Sequence, residues 1–371
     1  MESSGSVECV NSVTDQRPTA SPVDWALAAS TGQRLVRSGP VVPMREAETA
    51  VRDLREITDD AERHVRALTG LGVDLPIRPG EVVDRPGWIK AAAGGLAALT
   101  DGALPRVHSG PVGSVMAGSA GVQAGMVLAF LGARVLGQYD PFGTGPDGSD
   151  GRLLLVAPNV VHAQHAMDVP AHDFRMWVCL HECTHRLQFT SVGWLRAYFA
   201  AQVGEFLSTM DETAASAVGK LPDVVRAIRR RPAETGEPGA SPAGPIALIE
   251  VLQSPRQREV LDRLIALSTL LEGHADHVMD AVGPTVVPSV ATIRRRFTER
   301  RRGGGLLDRI LRTLLGVDAK VKQYAAGAAF TRHVVGTVGM AGFNTVWTSP
   351  ETLPDRAEIA DPAAWIQRVR P

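Results

Sequence analysis

The sequence predicts a mainly α-helical chain with a small antiparallel β-sheet, built around one helix that carries HExxH and a later helix that carries a glutamate. Three observations predict it. Apolar residues recur at helical spacing over 45–69, 116–131, 170–189, 192–217, 255–281, 306–316 and 318–338. Arg152-Leu-Leu-Leu-Val-Ala157 reads as the clearest strand. The run His181-Glu-Cys-Thr-His185 falls inside the 170–189 stretch and has a metal-ligand spacing on one helix face.

Residues 1–20 are polar and rich in Ser, Thr and Pro, and are expected to be a disordered tail. From 21 to 371 the chain is expected to form one domain, with a division into two lobes left open. Residues 107–133 contain no Asp, Glu, Lys or Arg and place Gly121 and Gly125 at GxxxG spacing, which raises the question of a membrane span. His108, Gln123 and several Gly and Ser dilute the hydropathy. A buried helix packed through Gly118, Gly121 and Gly125 is expected instead, with no span. Arg134 to Tyr139 can pair with the 152–157 strand across the turn-rich Asp140–Gly151 segment, giving a hairpin just before the motif. Asp168 and Pro170 suit the start of the motif helix. Residues 231–245, dense in Pro and Gly, read as a flexible loop. The basic run Arg294–Arg302 ahead of Gly303-Gly-Gly305 reads as a solvated helix end.

On a helix, residues four apart are rotated by about 40° and rise by roughly 6 Å, so the imidazoles of His181 and His185 can grip one ion. Phe174, Trp177, Val178, His181, His185 and Gln188 share that face, so the histidines point inward. The competing reading is two core histidines bonded to neighbouring carbonyls. The ion expected is zinc, with Glu182 beside the first ligand as general base toward a water. A third ligand must come from elsewhere. The HExxHxxGxxH pattern fails, because Gln188 and Ser191 stand at its Gly and His positions. Leu270–Asp280 supplies the alternatives. Glu272 and Asp276 share one face, so Glu272 can bind zinc while Asp276 accepts the free ring N–H of a ligand histidine. His274 and His277 point about 140° to 160° away and compete as ligands, or else hydrogen-bond in the pocket wall. Glu272 is preferred, since it completes a two-His, one-Glu site.

These segments, with Val23-Asp-Trp25, Arg34-Leu-Val-Arg37, Leu131–Asp140, Asp173-Phe-Arg-Met-Trp177, Lys320-Val-Lys-Gln-Tyr324 and Gly339–Pro354, resemble the actinobacterial zincin-like metallopeptidases, a family associated with deazaflavin coenzyme biosynthesis. The resemblance covers most of the chain. It implies a zincin-like fold, a zinc cofactor, His181, His185 and Glu272 as ligands and Glu182 as general base, with Cys183 and the 231–245 spacer as departures. In such a site zinc lowers the pKa of water from about 15.7 toward roughly 7. An oxyanion donor is needed besides the metal. The candidates are Tyr139, Tyr198 and Tyr324, with His274 or His277 as further possibilities. Tyr324 ranks first, against the alternative of a tyrosine packed with its hydroxyl on a carbonyl.

A formal net charge of -1 argues against nucleic acid as a partner, and 5% aromatic residues leave little for base stacking. Three cysteines, Cys9, Cys179 and Cys183, form no disulfide framework and suit a reducing compartment. Cys179 and Cys183 face away from the motif histidines and read as small buried residues. The N-terminus lacks a basic start and an apolar stretch, so a cytoplasmic location is expected. The expected activity is zinc-dependent hydrolysis of a peptide or protein substrate. Two other classes stay open: a zinc-containing binding or scaffold protein without catalysis, and a hydrolase of a non-peptide amide. A purely structural site would need no Glu182.

Overall fold

The computed structural model describes residues 19–101, 107–108, 111–209, 255–302 and 317–370. The expected tail through residue 18, the 231–245 loop, the 306–316 helix, the Gly303–Gly305 turn and Cys9 lie outside the described residues.

At the centre is a three-stranded sheet of β2 (Glu81–Val83), β5 (Asp150–Val156) and β4 (Gly137–Thr144), in the order β2-β5-β4. The predicted strand is its middle member. Successive strand side chains point to opposite faces, so Leu153 and Leu155 enter one core while Leu154 and Val156 enter another. That is why four apolar residues run together without alternation. β4 pairs antiparallel with β5, as expected of the hairpin, but it spans Gly137–Thr144 instead of 134–139, taking in the first part of the expected turn, and its register shifts between Asp140 and Thr144, where Pro141 has no N–H to give. β2 pairs with β5 in parallel. The sheet is therefore mixed, a correction to the antiparallel expectation. A second, two-stranded antiparallel pair joins β1 (Thr19–Ala20) to β3 (Val107–His108).

The smaller core lies under α1 (Trp25–Leu35), α3 (Arg85–Thr100) and α4 (Pro111–Gly132). A Cβ on Gly121 would lie 2.5 Å from the Asp24 carbonyl oxygen, and one on Gly125 2.7 Å from that of Ala28. These two glycines let α4 approach the α1 backbone. Gly118 is looser, with Leu27 as its nearest neighbour at 3.7 Å. The other face of α4 carries exposed Val115, Met116 and Met126, so the helix is half covered and not buried as expected. Gly113–Gly132 is, among the described residues, the one helix long and apolar enough to cross a membrane.

The larger core lies among α2 (Met44–Thr69), α5 (Ala157–Met167), α6 (Ala171–Ser191), α7 (residues 195–209), α8 (Pro255–Ala281), α9 (Val290–Arg302) and α10 (Val317–Phe343), followed by α11 (Arg356–Ala360) and α12 (Pro362–Val369). α6 runs through the middle, packed on α2, α8 and β4. Its start differs from the expectation. Asp168 adopts a left-handed φ of 50° and ends α5, whereas Pro170 precedes α6 without a side-chain cap. Asp173 in the first turn of α6 instead accepts hydrogen bonds from the Ser289 N–H at 2.8 Å and hydroxyl at 2.6 Å, a position where the helix dipole favours a carboxylate.

Candidate metal centre

His181 and His185 sit on the face of α6 that meets α8, and Glu272 comes from α8. The His181 and His185 Nε2 atoms are 3.2 Å apart. Glu272 Oε2 lies 3.4 Å from the first and 3.8 Å from the second. Ligands 2.0 to 2.1 Å from a tetrahedral zinc are separated by roughly 3.4 Å. The three donors thus already occupy one face of such a tetrahedron, and they form a zinc site of the two-His, one-Glu kind.

The tautomers fit the same ion. Gln188 donates its Nε2 hydrogens to the Leu271 carbonyl at 3.0 Å and to His274 Nδ1 at 3.0 Å, so its Oε1 is left to accept from His185 Nδ1–H at 2.9 Å. With its proton on Nδ1, His185 turns an Nε2 lone pair toward the centre. His181 places Nδ1 3.2 Å from the Met279 sulfur, a weak acceptor, and turns its Nε2 inward as well. Two ring lone pairs and a carboxylate oxygen at these distances need a positive charge among them. Burial pulls His185 down, but the hydrogen bond and charge of Glu272 outweigh it and lift the ring to about 9 when only a proton can fill that role. The same histidines hold Glu272 well below the usual carboxylate range in spite of its burial.

Gln188 is the contact that sequence reasoning missed. It was visible only as one more residue on the inward face, and its pairing with α8 depends on the helix crossing. The expected hydrogen bond from a ligand histidine to Asp276 is not made. Asp276 accepts from Arg294 at 3.0 Å, and Arg294 also bonds Asp280 at 2.7 Å. Arg294 reaches α8 from α9, a charge partner the ExxxD spacing could not reveal. His274 is fully buried against Phe343 and Trp347, and burial drops it to about 3, so it stays neutral. It supports the site through Gln188 rather than by ligation. His277 is half-buried, and burial lowers it too. The side chain of Tyr324 lies outside the described residues. Tyr198 packs edge-on to Trp194, with ring centres 5.7 Å apart. Cys183, inside the motif, bonds the Thr58 carbonyl, and burial pushes its thiol up to about 12; Cys179 is likewise buried and free.

Glu182 projects from α6 toward β4. A Cβ on Gly137 would stand 2.6 Å from Glu182 Cγ, so only glycine leaves room there. The Tyr139 N–H bonds the Glu182 carboxylate, and burial raises Glu182 above the ordinary range against the opposing charges of His181 and His185. Together with the three ligands, Glu182 opens on a cavity of about 470 Å³ walled on its other side by Leu96, Leu131 and Phe142. This volume is within the range of small-molecule and substrate sites.

Residues 23–366 match the sequence profile of a family described as zincin-like metallopeptidase. A crystal structure of a candidate hydrolase with a novel fold from Chloroflexus aurantiacus is similar to the chain with a TM-score of 0.65 and 28% identity, covering 94% of this chain and 99% of that one. No curated protein matches the chain.

Proposed function

This chain belongs to the zincin-like metallopeptidase family, and from that premise we propose that it is a zinc-dependent peptidase with Glu182 as general base. The observation that carries the reading is the meeting of His181, His185 and Glu272 at tetrahedral-edge spacing on the wall of the cavity that Glu182 also lines. Zinc held there supplies Lewis-acid polarisation and acidified water. The chain's own residues supply the rest. Glu182, raised by burial, is suited to take a proton and return it to a leaving amine. Its position is fixed by the Tyr139 N–H and by the absence of a side chain at Gly137.

A peptide is favoured over other amides because β4 is an edge strand of the sheet and its residues Gly137 to Phe142 line the cavity. Among the described residues no other strand pairs with the outer side of β4, and apart from the Tyr139 N–H held by Glu182 such an edge can hydrogen-bond an extended chain. Tyr324 stays in the proposal as oxyanion donor. A link with deazaflavin coenzyme biosynthesis rests on the sequence resemblance, and a reducing, cytoplasmic setting rests on the two buried free thiols.

The test is incubation of the zinc-loaded protein with a mixed peptide pool, with new termini read by mass spectrometry. The native chain cleaves, and Glu182→Gln retains zinc but cleaves about 100-fold more slowly or worse. Undiminished cleavage by that variant, or no cleavage by the zinc-loaded native chain, sinks the reading.

A further inference from the structure

A second cavity, of about 410 Å³, adjoins the first: Tyr139, Pro141 and Phe189 line both. Its walls differ in character. Arg66, Arg78, Arg186 and Arg196 face it against two carboxylates, Glu62 and Asp150, in a chain whose formal net charge is only -1. The four guanidinium groups are not equivalent. Arg66 is engaged by Glu62 and by the Leu75 and Pro76 carbonyls. Arg186 is buried and pinned between Glu62 and the Arg78 carbonyl, so it contributes charge but cannot move. Arg196 pairs at 2.9 Å with Asp150, whose side chain is 79% exposed; a pair so exposed is weak and readily exchanged. Arg78 is exposed, and its guanidinium has no partner among the described residues. Arg78, Arg186 and Arg196 all act on the Tyr139 phenol, which burial nonetheless holds at about 12 and hence as a neutral O–H donor.

We propose that this second cavity is an anion subsite of the cleft, in which Arg78 and Arg196 receive a substrate carboxylate with Arg186 fixed behind them. The inference rests on the hydrolase reading above and adds the substrate class: peptides with a carboxylate a short way from the scissile bond. Arginine forks match carboxylates in bidentate geometry, and a concave basic wall concentrates anions. The spacing agrees. Phe189, shared by both cavities, is one helical turn beyond the ligand His185, about 6 Å along α6. Two or three extended residues cover roughly 7 to 10 Å. An extended substrate seated along β4 therefore carries a group from the metal to Tyr139, Pro141 and Phe189, where the arginine-lined cavity begins. The carboxylate can belong to an acidic side chain or to a free C-terminus, and the same chemistry recognises either.

The test uses the zinc-loaded full chain and binding by calorimetry. Four peptide hydroxamates share one backbone and carry, two residues from the hydroxamate, Asp, Asn, a C-terminal carboxylate or its amide. Each acid is expected to bind about tenfold or more tightly than its amide partner. In Arg78→Gln and Arg196→Gln that ratio shrinks, and in the double variant it falls to about one. An advantage confined to one pair identifies the source as side chain or C-terminus. If the hydroxamates bind but acid and amide are equal, or the ratio survives the double variant, the subsite is overturned while the hydrolase reading stands. If no hydroxamate binds, both fall.

Discussion

Gln188 fixes the tautomer of His185, and that single amide shows how far the centre was legible. His181, Glu182, His185 and Glu272 could be read from spacing because a helix converts sequence intervals into angles. Gln188 and Arg294 could not, since each acts across a helix contact that no interval encodes. Gln188→Leu leaves the volume nearly unchanged and removes the acceptor, so zinc affinity should fall about 10- to 100-fold, as read by competition with a chromophoric chelator. An unchanged affinity would mean that the ring is oriented without it. A second residue prediction concerns Asp140, buried on β4 with one oxygen bonded by the Phe142 N–H and the other unpartnered. Burial raises its pKa above the ordinary 3.8. The native state thus binds this proton more tightly than the unfolded chain. The contribution is favourable below 3.8 and is lost as pH rises through the higher folded value. Asp140→Asn should accordingly gain stability relative to the native chain across that window, in denaturant melts taken from pH 3.5 to 7; a pH-independent difference would contradict it.

Helices 44–69 and 255–281 were predicted to within a residue because each carries a regular apolar stripe. α3 and α5 were not predicted. In α3 small residues such as Ala91, Ala92, Ala93 and Gly95 face the core, so no stripe of large side chains marks its buried side. α5 begins directly where β5 ends, with Val156 as its cap, and the apolar run conceals the change of period. Parallel pairing of β2 escaped because three residues give no signal of their own. The crossing of α8 and α10 belongs to this scale too. Gly273, next to the ligand Glu272, meets Gly327 so closely that a Cβ on either would overlap the other helix's backbone. Gly327→Ala should force the helices apart, costing about 1 to 3 kcal/mol in urea unfolding and weakening zinc binding as α8 shifts. A variant as stable as the native chain would show that the crossing yields without cost.

Across the whole molecule, the zinc ligands join α6 to α8, helices separated in sequence by α7 and by the stretch outside the described residues. A ligand that binds only the folded chain stabilises it by mass action, about 4 kcal/mol at a thousandfold excess over Kd. Chelation should therefore lower the melting temperature by several degrees, reversed on adding zinc back, in scanning calorimetry with and without chelator. No shift would show that the two helices hold their spacing unaided. Fold class and the metal-bearing pair were readable at this scale, whereas the division into two cores around β5 was not, because an apolar run does not say which of its residues faces which side. The hydrogen bond from Gln188 to the Leu271 carbonyl has one more implication. It ties the rotation of an α6 imidazole to the backbone of α8, so the centre acts as a caliper on helix registration. A slip of α8 by one residue's rise would turn the ring as well as withdraw the carboxylate, and the protein would lose its grip on the ion in one concerted step.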